Sequence, residues 1–304
     1  MGSMNINKLH KNQRLIKALT GMNSQEFNDL VPTFERELYQ YYANQPNRQR
    51  QPGGGRRGHL PTGAHKLFFI LFYIKTYPTF DVMSFVSGKG RGRSCEAAHL
   101  YLELLEKALG KKIVLPKRQI KSVEEFLAKF PEVKDILVDG TERRMERPQK
   151  TKRNKRHYSG KKKGHTRKNI VVTDEHKRIL IVSPTKPGRR HDKNCADRIL
   201  LLEHSPPEVG IWGDSGFQGI QHKHPNTVVA KRGRKDRPLT TAEKRDNHVI
   251  SSFRAVAENA IGGMKRYRSM RDTLRNKIGI FDDRLAVVTA GIWNYHLAST
   301  GYVK

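Results

Sequence analysis

Two aspartates and one glutamate are the residues of this chain best suited to joint chemistry. Asp139 closes the strand-like run Asp135-Ile136-Leu137-Val138-Asp139 and leads into Gly140-Thr141-Glu142. Asp214 follows Val209-Gly210-Ile211-Trp212-Gly213 and sits among Gly213, Gly216, Phe217 and Gly219, a composition that lets a backbone or a phosphate come close. Glu258 lies on a helical pattern over 251–265. There Phe253, Val256, Ala257, Ala260 and Met264 form an apolar stripe, and Arg254, Glu258 and Lys265 run beside it. Each carboxylate alone has an ordinary explanation. Asp-Gly and Asp-Ser-Gly are common turn sequences, and Arg254 with Glu258 at i, i+4 makes a surface pair worth roughly 0.2–0.5 kcal/mol. Taken together they suggest a shared site, because carboxylates gathered in one place repel one another and lose solvation. Mg²⁺ relieves that cost, and it is usually held by a few carboxylates together with substrate phosphates. Two such ions clamp the attacking and leaving oxygens of a phosphodiester.

Composition agrees with a polyanionic partner. Against 59 Lys+Arg stand 29 Asp+Glu, a formal net charge of +30 with pI near 10.3, which points to nucleic acid. No run approaches the roughly 18 apolar residues of a membrane span, and no signal-peptide core is evident. The two cysteines, Cys95 and Cys195, are far apart without a CxxC partner, which argues against a disulfide framework or a structural zinc site. A reducing bacterial cytoplasm, in association with the nucleoid, is the expected location. The 304 residues are enough for a sizeable core in one or two domains.

The elements that must carry these residues follow from periodicity and caps. Two helices are expected between 5 and 42, split near Gly21-Met22-Asn23-Ser24, with Ser24 as N-cap and Phe27, Leu30, Val31, Phe34 and Leu38 at helical spacing. The Gln/Asn/Arg/Gly-rich stretch 44–58 has nothing to bury and reads as a linker. A helix capped by Thr62 and ended before Pro78 follows, then a short helix near 81–86. Next come a basic glycine loop over 87–93 carrying Arg91 and Arg93, and a helix capped by Ser94 and closed by Gly110. Such a trio is compatible with helix-turn-helix DNA binding, and equally with any three-helix bundle. After a helix over 122–130 the texture changes to short strands at 136–139, 169–173, 179–183, 209–212 and 227–230, with helices at 192–203, 242–268 and 282–296. That is an α/β pattern with a mixed five-stranded sheet flanked by helices. Three regions are expected: 1–58, 59–131 and 132–304.

The basic segment 143–168 is in part an ordinary solvated run. Tyr158 and the Gly160/Gly164 frame around Lys161, Lys162 and Lys163, with His165 beyond, suggest in addition a phosphate-binding loop. His191 and Asp192, after Gly188-Arg189-Arg190, are a further candidate near the active site; the reading preferred for them is that Asp192 caps the next helix and His191 is structural or contacts DNA. Trp212 and Trp293 are expected in the core, since both fall within apolar runs.

These blocks carry a family resemblance. Val138-Asp139-Gly140-Thr141-Glu142, Tyr158-Ser159-Gly160-Lys161-Lys162-Lys163-Gly164-His165-Thr166, Gly213-Asp214-Ser215-Gly216-Phe217-Gln218-Gly219 and the Arg254/Glu258/Lys265 helix resemble, in order and spacing, the DDE transposases of the insertion-sequence-five family. That family is related to the Harbinger-type transposases. The resemblance covers 132–304 well and 60–110 less specifically. It implies an RNase H-like catalytic core preceded by an all-α helix-turn-helix-type region, with Asp139 and Asp214 on neighbouring parallel strands. Asp139, Asp214 and Glu258 are thereby implied as ligands of two Mg²⁺ ions, with Mn²⁺ able to substitute. The family carries a tyrosine three positions before its arginine, where this chain has Ser251, which puts a DNA-backbone contact in doubt. The implied activity is metal-dependent cleavage at the element's terminal repeats and strand transfer into target double-stranded DNA. Lys161, Lys162, Lys163, His165, Arg254, Lys265, Arg91 and Arg93 are the candidate DNA contacts. A nuclease without strand transfer and a non-catalytic DNA-binding regulator are the alternatives. A homodimer on paired DNA ends is expected, with the amphipathic stripe of 27–38 as one candidate contact.

Overall fold

The structure, a computed structural model, describes residues 6, 9, 11–46, 51–52, 58–233 and 236–301. Most of the expected linker, including Gly53 to Gly55, lies outside them. The chain forms two compact units: Met1–Leu115 with Lys265–Asp272 and Ile278–Thr300, and Pro116–Met264 with Thr273–Lys277 and Gly301–Lys304.

The first unit opens with α1 (Gln13–Thr20), capped by the Asn12 side chain and closed by Gly21 at φ 80°. A β-carbon at Gly21 would stand 2.5 Å from the Tyr267 hydroxyl, so both backbone and space demand glycine there. In α2 (Ser24–Ala43) the cap is Asn23, which forms a capping box with Glu26. Ser24, the expected cap, is the first helical residue, because the Asn23 side chain reaches the Glu26 N–H while Glu26 returns to the Asn23 N–H. Thr62 caps α3 (Gly63–Thr76) as expected. The short α4 (Phe80–Ser87) ends at Gly88, φ 70°. The next helix, α5 (Arg91–Lys111), starts earlier than the sequence suggests, with Gly90 as cap and Ser94 buried within the first turn. Arg91 and Arg93 are therefore exposed first-turn residues of a helix and not loop residues. One turn of helix needs no side-chain cap when its first N–H groups face water.

The second unit begins with α6 (Val123–Lys129), capped by Ser122. Then follow β1 (Asp135–Arg144), α7 (Thr151–His157), β2 (Tyr158–Ser159), β3 (Gly164–Asp174), β4 (Ile179–Val182) and β5 (Lys186–Pro187). The expected helix over 192–203 is broken into α8 (Asp192–Ala196), a 3₁₀ turn and α9 (Leu201–His204), because Leu200 adopts φ 56°. β6 (Gly210–Gly213), β7 (Thr227–Val229) and the 25-residue α10 (Thr241–Lys265) complete it. The chain then returns to the first unit through α11 (Arg268–Arg271) and, after 273–277, α12 (Gly279–Ser299).

Seven strands make one mixed sheet, two of them only two residues long. β4 pairs with β3, β3 with β1, β1 with β6 and β6 with β7. β1, β6 and β7 are mutually parallel and β3 is antiparallel to its neighbours. The five expected strands are all present, yet β1 and β3 run on through charged residues that sequence would take as strand ends. Buried pairing explains this: Lys168 lies opposite Glu142 in the ladder and their side chains meet at 3.2 Å. One face of the sheet packs Ile136, Val138, Ile170 and Val172 against Cys195, Ala196 and Ile199.

The last helix departs from the expected three-region division. α12 is apolar nearly all round and is buried within the first unit. Arg284 pairs with Glu103 and Glu106 of α5, and the buried Glu26 of α2 receives His296 and Ser299. The α2 stripe of Phe27, Leu30, Phe34 and Leu38 is likewise buried inside this chain, which removes it as a candidate contact with a second copy.

Candidate active site

Side chains alternate across a strand, so β1 presents Ile136, Val138, Gly140 and Glu142 to one face and Leu137, Asp139 and Thr141 to the other. Asp139 is mid-strand and not terminal: β1 continues to Arg144 along β3, while its pairing with β6 stops at Val138↔Gly213. Asp214 is the next residue on that parallel neighbour. The two aspartates thus stand one step beyond the last ladder pair, where the sheet opens between β1 and β6.

Two aromatics seat α10 on the same face. Trp212 lies opposite Leu137 in the parallel ladder, its indole N–H donates to Asp135 Oδ1 at 2.6 Å, and its ring stacks on Phe253 at 4.3 Å and 6°. Trp212 is half-buried, not a closed core residue. Offset stacking of this kind adds about 0.5–1.5 kcal/mol beyond burial, and it fixes the helix one residue before Arg254. The Arg254 guanidinium then stands 4.0 Å from Asp214 and 3.4 Å from Glu258.

The electrostatics reflect this crowding. Burial pushes the Asp139 carboxyl above the usual carboxylate range, and Asp214 and Glu258 add to the rise, against the Gly140 N–H at 2.7 Å and the charge of Arg254. Asp214 accepts from the Gly216 N–H at 2.8 Å, closing its own loop. Glu258 is 62% exposed. Among the described residues, no three His, Cys, Asp or Glu side chains stand close enough to hold one ion. The oxygen-only donor set is nevertheless the chemistry of a hard divalent cation, and the cation now offsetting Asp214 and Glu258 is Arg254.

The remaining candidates lie elsewhere on their units. Lys161, Lys162 and Lys163 form an exposed turn between β2 and β3, with Lys163 at φ 44° and the Lys162 carbonyl accepting from Arg144 at 3.3 Å. His165 is the second residue of β3, its Nε2 2.8 Å from Asn154 Oδ1 and its ring packed edge-on against Tyr158. Lys265 ends α10 and is half-buried. Trp293 is half-buried as well.

A second charged group beside the aspartates was only partly legible. Lys168, 7% exposed, contacts Asp192 at 2.7 Å and Glu142 at 3.2 Å, and donates to the Arg190 carbonyl at 2.9 Å. Glu142 also accepts from Thr166 at 2.6 Å. Burial works against the Lys168 ammonium, but Asp192 and Glu142 outweigh it and hold it charged. Lys168 was hidden in a run of basic residues. The one signal that sets it apart is its strand-period spacing from Ile170 and Val172.

Residues 138–294 match the family described as DDE superfamily endonuclease. Over 290 residues, 94% of this chain and 95% of the other, the sequence is 25% identical to a protein of Microchaete diplosiphon named "Probable transposase for insertion sequence element IS702". No solved structure gives a significant match.

Proposed function

The chain belongs to the DDE superfamily endonucleases, and from that membership we propose that it is an insertion-sequence transposase that cleaves DNA at the element's ends and transfers the freed strand into target DNA. The observation that carries the reading is the register of Asp139 and Asp214 on parallel strands, with Arg254 and Glu258 of α10 over the same face. The transposase named above supports it at the level of the whole chain. The strand order β4–β3–β1–β6–β7, with β3 alone reversed, supports an RNase H-like core.

Endonucleases of this superfamily use divalent metals. Here Asp139, Asp214 and Glu258 would hold them, taken as two Mg²⁺ ions. When bound, they activate the attacking oxygen and stabilise the leaving one. Asp139 is fixed by the strand and by the Gly140 N–H, and Asp214 by its loop. Glu258, exposed on the helix rim, must turn inward to join them. As it does so, Arg254 loses a partner and becomes available to a DNA phosphate, where its planar fork binds two oxygens. Lys161, Lys162 and Lys163, and on the first unit Arg91 and Arg93, lie at exposed positions suited to backbone phosphates.

The test supplies a pre-cleaved end bearing a 3′-hydroxyl, target duplex and Mg²⁺ or Mn²⁺. A joined strand-transfer product is expected. Nicking without joining would reassign the chain as a nuclease, and binding without chemistry as a regulator.

A further inference from the structure

The segment ahead of α8 is laid tightly on β3. β5 pairs Lys186 with Lys168 and Pro187 with Arg167, and the Gly188 N–H donates to the Thr166 carbonyl at 2.9 Å. A β-carbon at Gly188 would collide with the Thr166 hydroxyl, so only glycine permits this approach. The consequence is that Asp192, the first residue of α8, is brought against the backbone of both segments that bear the candidate aspartates, β1 at Gly140 and the loop after β6 at Gly216. A β-carbon at Gly140 would lie 3.0 Å from Asp192 Oδ1. One at Gly216 would lie 3.3 Å from Asp192 Oδ2 and 2.9 Å from Asp214 Oδ1.

Strand alternation puts Gly140 and Glu142 on the face opposite the Asp139 carboxylate. Asp192 therefore supports Asp139 from beneath and does not stand beside it as a further ligand. Lys168 holds it there: Nζ lies 2.7 Å from Asp192 and 3.2 Å from Glu142, and donates to the Arg190 carbonyl one residue before the cap His191. A buried cation held by two carboxylates is costly to break, because removing one partner leaves an uncompensated charge.

We infer that Asp192, locked by Lys168 and Glu142, is a positioning residue that sets the distance between Asp139 and Asp214 and hence the affinity of the site for a divalent cation. The inference rests on the metal-binding reading of Asp139 and Asp214. It also gives the glycines at 140 and 216 a role, since a β-carbon at either would press on the carboxylates it adjoins.

The test is binding, read independently of turnover. Free Mn²⁺ is titrated by electron paramagnetic resonance against the full chain, with each variant's unfolding midpoint measured alongside. Asp192→Asn is expected to weaken Mn²⁺ about 10- to 100-fold, the cost of losing a partner that orients metal ligands. Gly140→Ala, which keeps every charge and pushes on Asp192 from the other side, should do the same, and the double variant should be little worse than either single one. Gly140→Ala also keeps the test decisive if Asp192→Asn does not fold. Asp139→Asn is the reference. If it loses Mn²⁺ while folded Asp192→Asn and Gly140→Ala bind as the wild type does, the positioning role is overturned and the network serves stability alone. Should Asp139→Asn itself bind Mn²⁺ normally, the metal reading of the site fails, and this inference with it.

Discussion

Asp139 is buried at the site, and burial together with two acidic neighbours opposes its ionisation. Its carboxyl is raised in the folded chain, so the fold is favoured at low pH and penalised as pH climbs through the folded-state value. Asp139→Asn removes that penalty. In EDTA, the variant's thermal midpoint is expected to exceed the wild type's at neutral pH, with the gap closing as pH falls through the carboxylate range; a constant gap would show that ionisation is not its cause. Catalysis should respond in the opposite sense. Asp139→Asn, Asp214→Asn and Glu258→Gln each keep shape while losing the charge a metal requires. Each is expected to lower cleavage by more than about 100-fold, beyond the loss typical of a ligand's outer partner. Wild-type turnover by any one purified variant would remove that residue from the site.

At the scale of elements, one aromatic stack helps to seat α10, alongside the buried Ile250, Ala257, Ala260 and Ile261. Trp212 and Phe253 lie nearly parallel, and replacing both in a double-mutant cycle (Trp212→Leu, Phe253→Leu) should reveal a coupling of about 0.5–1.5 kcal/mol in urea unfolding. Additive losses would mean the helix is held by other packing. The β2–β3 turn is a separate device. Its three lysines are exposed, so their replacement by alanine should leave stability within about 0.5 kcal/mol. It should also flatten the slope of log affinity against log salt by roughly 0.9 for each DNA phosphate these lysines neutralise. An unchanged slope in titrations from low to moderate salt would assign the turn to solvent.

For the molecule as a whole, the net charge of +30 makes free copies repel one another, and bound DNA would offset that charge. Transposition of an element joins two equivalent ends, which a two-fold dimer meets with equivalent surfaces. Light scattering on the full chain is expected to give one copy without DNA and two copies with end-bearing duplex. One copy per end throughout an active strand-transfer reaction would reject the dimer. Its interface must come from surfaces other than α2, whose apolar stripe the first unit covers. Among the described residues, no helix is long and apolar enough to cross a membrane.

Much of this was present in the sequence. The carboxylates stood out because charge among apolar residues is costly and therefore informative. Thr62 and Ser122 announced their helices through side-chain capping, and the five main strands showed in their apolar runs. These are local effects, decided within a few residues. What local reading missed depends on partners distant in the chain. Glu142 and Lys168 continue two strands because each neutralises the other across the ladder. The final helix joins the N-terminal unit because Glu26 and the α5 carboxylates supply its polar partners. Asp192, a candidate near the site in sequence but read there chiefly as a helix cap, is seated beneath the candidate aspartates through a glycine approach at 188 that no spacing rule announces. Sequence determined which residues were suited to the chemistry. Only the tertiary structure decided which of them meet, because burial of charge is settled by what the folded chain brings opposite it.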